Sequence, residues 1–410
     1  MPPVFKRKSY LYLPHKLYVE GEILMDLRVF HTGDLHLDML YQSRGYPEEV
    51  REELVEARYR VLEKMVEEAN RQDCHLFVLA GDLFDRATVK ENSVLKALDT
   101  LSRFEGVCAV LPGNHDYYTP HSSLWESVRK HAAPNVLALF QNSPYDLRDY
   151  GLDVALYPAP CHARRSLQNR MGWIWELHHR PEVRWHLGVA HGSLEEYSPD
   201  FQENYFPMRE EELISAGMHF WFLGHTHARI PEGEHFDGHT FAYCGTPEPD
   251  GFGCRHTGTA WVVELNENGK IEGTTVSTGQ YCFWNLERRV TSPEDMEEIV
   301  RELTEDGGKT LARLNLHGSL PREDFENRQR WIEELQEKLF YLELDDTGLQ
   351  VEITRETIAE LFPESSFPYM LLNRLVERGD QKALQVAYSL IKEVNKYDHS
   401  ESAARAFRRF

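Results

Sequence analysis

"VCAVLPGNHD", residues 107–116, is where the fold can be read first. An apolar run rich in β-branched residues stops at a proline, and a glycine, an amide, an imidazole and a carboxylate follow at once. Residues 107–112 have the length and composition of a strand buried on both faces. The same switch recurs four times: "DLRVFHT" (26–32) runs into "GDLHLD", "CHLFVLA" (74–80) into "GDLFDR", "RWHLGVA" (184–190) into "HGS", and "MHFWFL" (218–223) into "GHTH". Between the first two strands, Val50, Leu54, Ala57, Val61, Met65 and Ala69 keep helical spacing behind Pro47. "ENSVLKALDTLSRF" (91–104) is a second helical pattern, lying between the second and third strands. Strand, helix, strand, helix, strand predicts an α/β domain with parallel pairing. In such sheets ligands gather beyond the carboxyl ends of the strands, and all five polar motifs fall there.

The whole chain sets broad bounds. Its 410 residues suggest two or three domains, and 41% apolar with 11% aromatic residues is ordinary for a folded globular protein. Mean hydropathy is −0.54, and no run approaches the roughly 20 apolar residues of a membrane span, so no membrane role is expected. Six scattered cysteines without a C-x-x-C pair argue against a disulfide framework or zinc knuckle and suit a cytoplasmic location. A net charge of −22 speaks against broad electrostatic attraction to nucleic acid, so such a role must rest on local features.

Texture divides the chain further. Residues 1–25 precede the first patterned strand and read as an N-terminal extension, and residues 26–282 hold the five motifs. Residues 283–345 read as strand, helix, strand, helix, strand, a small second α/β unit, and 346–410 as a helical tail. In that tail Leu384, Ala387, Leu390, Ile391 and Val394 share one helical face, to be packed on its own domain or docked to a partner.

Chemistry concentrates in the five loops. They supply Asp34 and His36, Asp82 and Asp85, Asn114, His115 and Asp116, His191, then His225 and His227. Imidazole, carboxylate and amide donors without thiolate suit Mn(II), Fe(II) or Zn(II) rather than Ca(II) or a structural zinc. The set is too large for one ion and would be fully used by two, a few ångströms apart and bridged by a carboxylate.

Together the motifs resemble the calcineurin-like metallophosphoesterase family, whose signature is D-x-H, G-D-x-x-D, G-N-H-D/E, a lone His and G-H-x-H. The resemblance covers about residues 26–260 and implies a two-layer β-sandwich flanked by helices, with a dinuclear centre at one rim. It implies that Asp34, His36 and His227 hold one metal, that Asn114, His191 and His225 hold the other, and that Asp82 bridges them. His115 would then be an unligated catalytic group, the general acid for the leaving oxygen, with Asp85 holding its imidazole in the useful tautomer. Asp116 reads equally well as a turn former. The ions implied are two divalent cations, Mn(II) foremost, with Fe(II) and Zn(II) as alternatives.

"YFPMREEELISAGMHFWFLGHTHARI" (205–230) and "FAYCGTPEPDGF" (241–252) are similar to the DNA-repair exonuclease branch, the SbcD-type nuclease subunits. That likeness implies a DNA substrate, 3′ to 5′ polarity, residues 283–345 as a capping domain, and an SbcC-like coiled-coil ATPase docked on the tail. It leaves room for a homodimer. Asp85 departs from the branch, which often carries His there. Residues 161–185 interleave Arg164, Arg165, Arg170, Arg180 and Arg184 with Trp173, Trp175 and Trp185, either as a single-strand channel or as an amphipathic helix on the sandwich. The competing functions are a phosphodiesterase or phosphatase for small molecules or nucleotides, which shares the metal set, and a catalytically silent scaffold.

Overall fold

The computed structural model describes residues 26–394 other than 201–203, 255, 306, 381 and 393. The extension expected at 1–25 and the end of the tail, 395–410, lie outside the described residues. The chain divides near Asn285 into two compact units.

In the first unit the strands are β1 (Leu27–Thr32), β2 (Leu76–Leu79), β3 (Val107–Val110), β4 (Val136–Ala138), β5 (Tyr145–Asp146), β6 (Val154–Ala159), β7 (Trp185–His191), β8 (Phe220–Gly224), β9 (Arg229–Ile230), β10 (His235–Asp237), β11 (Phe241–Cys244), β12 (Thr259–Leu265) and β13 (Ile271–Ser277). They form a seven-stranded sheet in the order β10-β13-β12-β1-β2-β3-β4 and a six-stranded sheet in the order β5-β6-β7-β8-β11-β9. β1 to β4 pair in parallel, as do β6, β7, β8 and β11.

Alternation along each strand builds two layers of core. Val29, Val78 and Ala109 point between the sheets to meet Leu156, Leu187, Val189 and Phe222. Their neighbours Phe30, Phe77 and Cys108 point outward, under helices α1 (Glu48–Arg71), α2 (Glu91–Ser102) and α3 (Ser123–His131). Strands covered on both faces are why the sequence shows continuous apolar runs. All six apolar positions named for α1 are buried. A mixed α/β sandwich of this kind is the architecture expected from the motifs.

Residues 161–185 form no α-helix; apart from a bridge at Ser166, a single 3₁₀ turn at Gly172–Ile174 and Trp185, which opens β7, they run as an irregular segment. Several of their side chains bond to other parts of the unit. Trp173 donates to the Pro158 carbonyl (3.0 Å), and Arg180 to Ala216 and Gly217 carbonyls (2.8 and 3.2 Å).

The second unit contains β14 (Cys282–Val290), which begins in the first unit, then β15 (Thr310–Leu320) and β16 (Tyr341–Val351) in one sheet of order β14-β15-β16. Its last strand runs past residue 345 to Val351, so the expected boundary cuts through a strand. The mostly helical segment that follows has a core of Ile353, Ile358, Phe362, Leu372 and Leu384. The face expected from Leu384 to Val394 is divided: Leu384, Ala387 and Ile391 pack on that core, whereas Leu390 and Val394 are 57% and 61% exposed. Among the described residues no helix is long and apolar enough to cross a membrane.

Candidate metal centre

The five loops meet at one end of the two sheets because their strands are parallel and in register. Close approach explains the glycine in front of three of the motifs, Gly81, Gly113 and Gly224. A Cβ on Gly113 would lie 2.1 Å from Asp82 Oδ1, and one on Gly81, whose φ is +97°, would lie 2.1 Å from His191 Nδ1. Four of the donors are held in an uncommon backbone region: φ is 52° at Asp34, 47° at His36, 51° at Asp82 and 99° at His225. Non-glycine residues there cost about 1–3 kcal/mol each and persist only where the surroundings fix them.

Hydrogen bonds supply that fixing. The Asp34 N–H donates to Gly81 O and the His36 N–H to Asp82 O (both 3.0 Å), which zips the first loop to the second. Asp116 joins the second loop to the third, its carboxylate accepting the N–H of Phe84 (3.1 Å) and of Gly113 (2.7 Å). It is fully buried and its carboxyl is pushed up to about 7, by burial first and then by the Asp82 charge. Asp116 is therefore the loop fastener, the plainer of its two readings.

Donor spacing is the test of fit for cations. Two nitrogens about 2.1 Å from one ion and at right angles would lie roughly 3 Å apart. His36 Nε2 and His227 Nε2 are 3.2 Å apart. Asn114 Oδ1 is 2.9 Å from His191 Nε2 and 3.1 Å from His225 Nδ1. Asp82 Oδ2 faces both halves, 3.3 Å from His191 Nε2 and 3.8 Å from His36 Nε2. Asp34, His36 and His227 offer atoms within 4.8 Å of one another, as do Asp34, Asp82 and His191, and His36, Asp82 and His115. Asp34 thus reaches both groups as Asp82 does, a sharing that motif order does not reveal. These clusters suit a dinuclear divalent metal site.

Electrostatics agree with that fit. Asp34 and Asp82 are buried in one pocket with His36 and His191. Burial raises the Asp34 carboxyl and pushes His36 well down. At His191 burial opposes the imidazolium, but the Asp82 and Asp34 charges outweigh it and raise the group to about 9. Asp82 is lowered because its imidazole neighbours outweigh its own burial. Two desolvated carboxylates in one pocket call for positive charge, which protons or cations can provide.

His115 stands at the edge, its side chain 26% exposed. Its N–H donates to Asp82 Oδ1 (2.8 Å) and its ring Nδ1 meets the Asp85 backbone carbonyl (2.9 Å). The Asp85 carboxylate is farther away, 3.8 Å from His115 Nδ1 and 3.7 Å from His36 Nδ1. Asp85 therefore orients the imidazole through its main chain, and its carboxylate is shared between two rings.

The calcineurin-like phosphoesterase model matches residues 27–229, the stretch that carries all five loops. Through these residues the chain belongs to the calcineurin-like phosphoesterase family. It is similar to the "Uncharacterized metallophosphoesterase YhaO" of Bacillus subtilis, 29% identical over 218 residues that make up 50% of each chain. It is similar also to the "DNA double-strand break repair protein Mre11" of Methanopyrus kandleri, 26% identical over 327 residues, 72% of this chain and 66% of that one. The protein of the same name from Saccharolobus solfataricus is 24% identical over 232 residues, 54% of this chain and 55% of that one. The chain spans about half to two thirds of the length of these curated relatives.

Motif reading missed several residues around these clusters. Arg58 is 1% exposed on α1 and donates to the Leu35 carbonyl (2.6 Å), between Asp34 and His36, and to the Tyr41 hydroxyl (2.7 Å). Thr246 donates from its hydroxyl to the Asp34 carbonyl (3.0 Å). Asp200 and Asp250 flank the G-H-T-H rings. Of the basic segment, Arg165 lies over the Tyr205 ring (4.9 Å), which in turn is 4.9 Å from the His225 ring. Arg180 is committed to main-chain carbonyls, and Arg184 to the Glu267 carbonyl and the Trp185 face.

Proposed function

We propose that the chain is a metal-dependent DNA exonuclease, shortening strands from 3′ to 5′, with two divalent ions held by seven donors. Asp34, His36 and His227 would hold one, Asn114, His191 and His225 the other, and Asp82 both. Mn(II) suits this donor set first, with Fe(II) or Zn(II) as alternatives. The observation that carries phosphoester hydrolysis is the convergence of these donors at about 3 Å spacing on the rim of the sandwich. When bound, such ions supply an acidified water and neutralise phosphoryl charge during in-line displacement.

The chain's own residues do the rest. The Nδ1–H of His115 is spent on the Asp85 carbonyl, so a proton for the leaving 3′-oxygen is delivered from Nε2 of the doubly protonated ring. The Asp82 carboxylate, by accepting the His115 N–H, keeps that ring at the edge of the donor cluster.

DNA is favoured over other esters by the curated break-repair relatives, one aligned over 72% of this chain and so well past residue 229. Arg165 and Tyr205 beside His225 offer a cation and an aromatic face next to the donors. For an SbcC-like coiled-coil ATPase, the support is the exposed apolar stripe of Val386, Leu390 and Val394 at helical spacing. Free cysteines, four of them buried, suit the cytoplasm where such a complex would work. A small-molecule phosphodiesterase is the second reading, favoured by the net charge of −22 and by arginines of 161–185 committed to the fold.

End-labelled single- and double-stranded DNA in Mn(II), beside bis-p-nitrophenyl phosphate, separates the two. Stepwise shortening from the 3′ end that His115→Asn abolishes supports the exonuclease. Turnover of the small diester with DNA left intact supports the second reading.

A further inference from the structure

Each imidazole of G-H-T-H turns one ring nitrogen toward the donor cluster and the other toward a carboxylate that belongs to none of the five motifs. His225 presents Nδ1 to Asn114 (3.1 Å) and Nε2 to Asp200 Oδ2 (2.8 Å). His227 presents Nε2 to His36 (3.2 Å) and Nδ1 to Asp250 Oδ2 (3.6 Å). His191 differs: its outer nitrogen meets a neutral group, the Ala80 carbonyl (2.8 Å).

Asp200 is itself held. Its Oδ1 accepts the Ser193 hydroxyl (3.0 Å), and Ser193 lies two residues after His191. The Leu194 N–H donates to the Ser198 hydroxyl (2.9 Å), and Ser198 and Thr226 hydroxyls meet at 2.6 Å, which ties the turn carrying Asp200 to the G-H-T-H loop. The Asp200 carboxylate therefore cannot drift from the ring without breaking that network.

We propose that Asp200 is a positioning residue for the ion held by Asn114, His191 and His225, acting through His225, and that Asp250 does the same more weakly for the other ion through His227. The inference rests on the seven-donor reading above. A carboxylate on the outer nitrogen keeps the hydrogen there, so the lone pair of the inner nitrogen faces the ion, and its negative charge makes that lone pair a stronger donor. Distance sets the ranking, since 2.8 Å is a charge-assisted hydrogen bond whereas 3.6 Å is beyond hydrogen-bond range.

The test is Mn(II) titration of the metal-stripped full chain, by calorimetry and by the free-ion electron paramagnetic resonance signal, beside melting of the stripped protein. Wild type should take up two ions. Asp200→Ala should weaken one binding step by about 10–100-fold and spare the other, as loss of an outer partner generally does. Asp200→Asn, which keeps an oxygen to accept the Nε2–H, should recover part of that loss, and Asp250→Ala should weaken the other step by less. Wild-type binding constants in both Asp200 variants would overturn the proposal. So would equal weakening of both steps with a lowered melting temperature of the stripped protein, which marks a general structural role. A wild-type chain that takes up no pair of ions overturns the seven-donor reading itself, an outcome distinct from these two.

Discussion

Replacing Gly113 by alanine would put a Cβ 2.1 Å from Asp82 Oδ1 and 2.3 Å from Asp82 N. Non-bonded heavy atoms settle near 3.5 Å, so either the G-N-H-D loop or the Asp82 carboxylate must move by about 1 Å. Overpacking of this kind costs about 1–3 kcal/mol, a melting temperature lower by roughly 2–10 °C in a unit of this size. Function should suffer more than stability. Asp82 Oδ1 also accepts the His115 N–H (2.8 Å) and Oδ2 faces His191 (3.3 Å), so one displacement disturbs the shared donor and the proposed proton donor together. A misplacement of about 1 Å can cost on the order of 10²-fold in rate. The assay is Mn(II) titration and hydrolysis of bis-p-nitrophenyl phosphate by Gly113→Ala, with Gly172→Ala as control because a Cβ there meets nothing within 4 Å. Wild-type ion uptake and turnover in Gly113→Ala would refute the claim that this glycine exists to let Asp82 sit between the two halves of the site.

Three further outcomes are expected. His115→Asn should keep wild-type uptake of both ions while hydrolysis falls by roughly 10²–10⁴-fold, and loss of an ion in that variant would make His115 a ligand instead. Glu248 accepts the N–H groups of Gln280 (2.7 Å) and Tyr281 (3.0 Å), and burial, partly offset by these bonds and Arg58, pushes its carboxyl up to about 7. A raised carboxyl favours the folded state below its unfolded pKa of about 4.5 and loses that contribution as pH rises through 7. Glu248→Gln should therefore gain on wild type by up to about 3 kcal/mol between pH 4.5 and 8 in denaturant titrations, and parallel pH profiles would contradict this. Arg58→Met should lose about 3 kcal/mol by removing charge-assisted hydrogen bonds to Leu35 and Tyr41, and should weaken ion uptake through the loop between Asp34 and His36; wild-type values of both would show that the buried guanidinium holds nothing.

What could be read from the sequence followed local rules. The five strands and α1 were legible because burial on both sheet faces and along one helix face leaves periodic apolar residues, and their loops because strand ends concentrate polar chemistry. Other features depend on contacts between residues distant in sequence. Arg58 sits within the α1 pattern as one charge among many, and only the fold shows that its guanidinium reaches Leu35. Asp200 carries no motif, and its meaning comes from a 2.8 Å contact with His225. At Asp85 the motif could not tell which atom faces the imidazole, since the main-chain carbonyl lies closer to His115 than the carboxylate does. Residues 161–185 misled because arginine and tryptophan spacing resembles a helix face, while Pro181 and distant main-chain acceptors draw the segment into an irregular path. In the tail, helical spacing put five apolar residues on one face, of which Leu384, Ala387 and Ile391 pack on the core while Leu390 and Val394 stay exposed.

The most direct measurement is a count of tightly held Mn(II) in wild type and Asp82→Ala after metal stripping and reloading. Two ions per chain in wild type, with affinity for both reduced in Asp82→Ala, is the expected result, because Asp82 Oδ2 faces His191 and His36 together. A single ion in wild type, or two ions held undiminished by Asp82→Ala, would contradict a dinuclear centre built around that carboxylate.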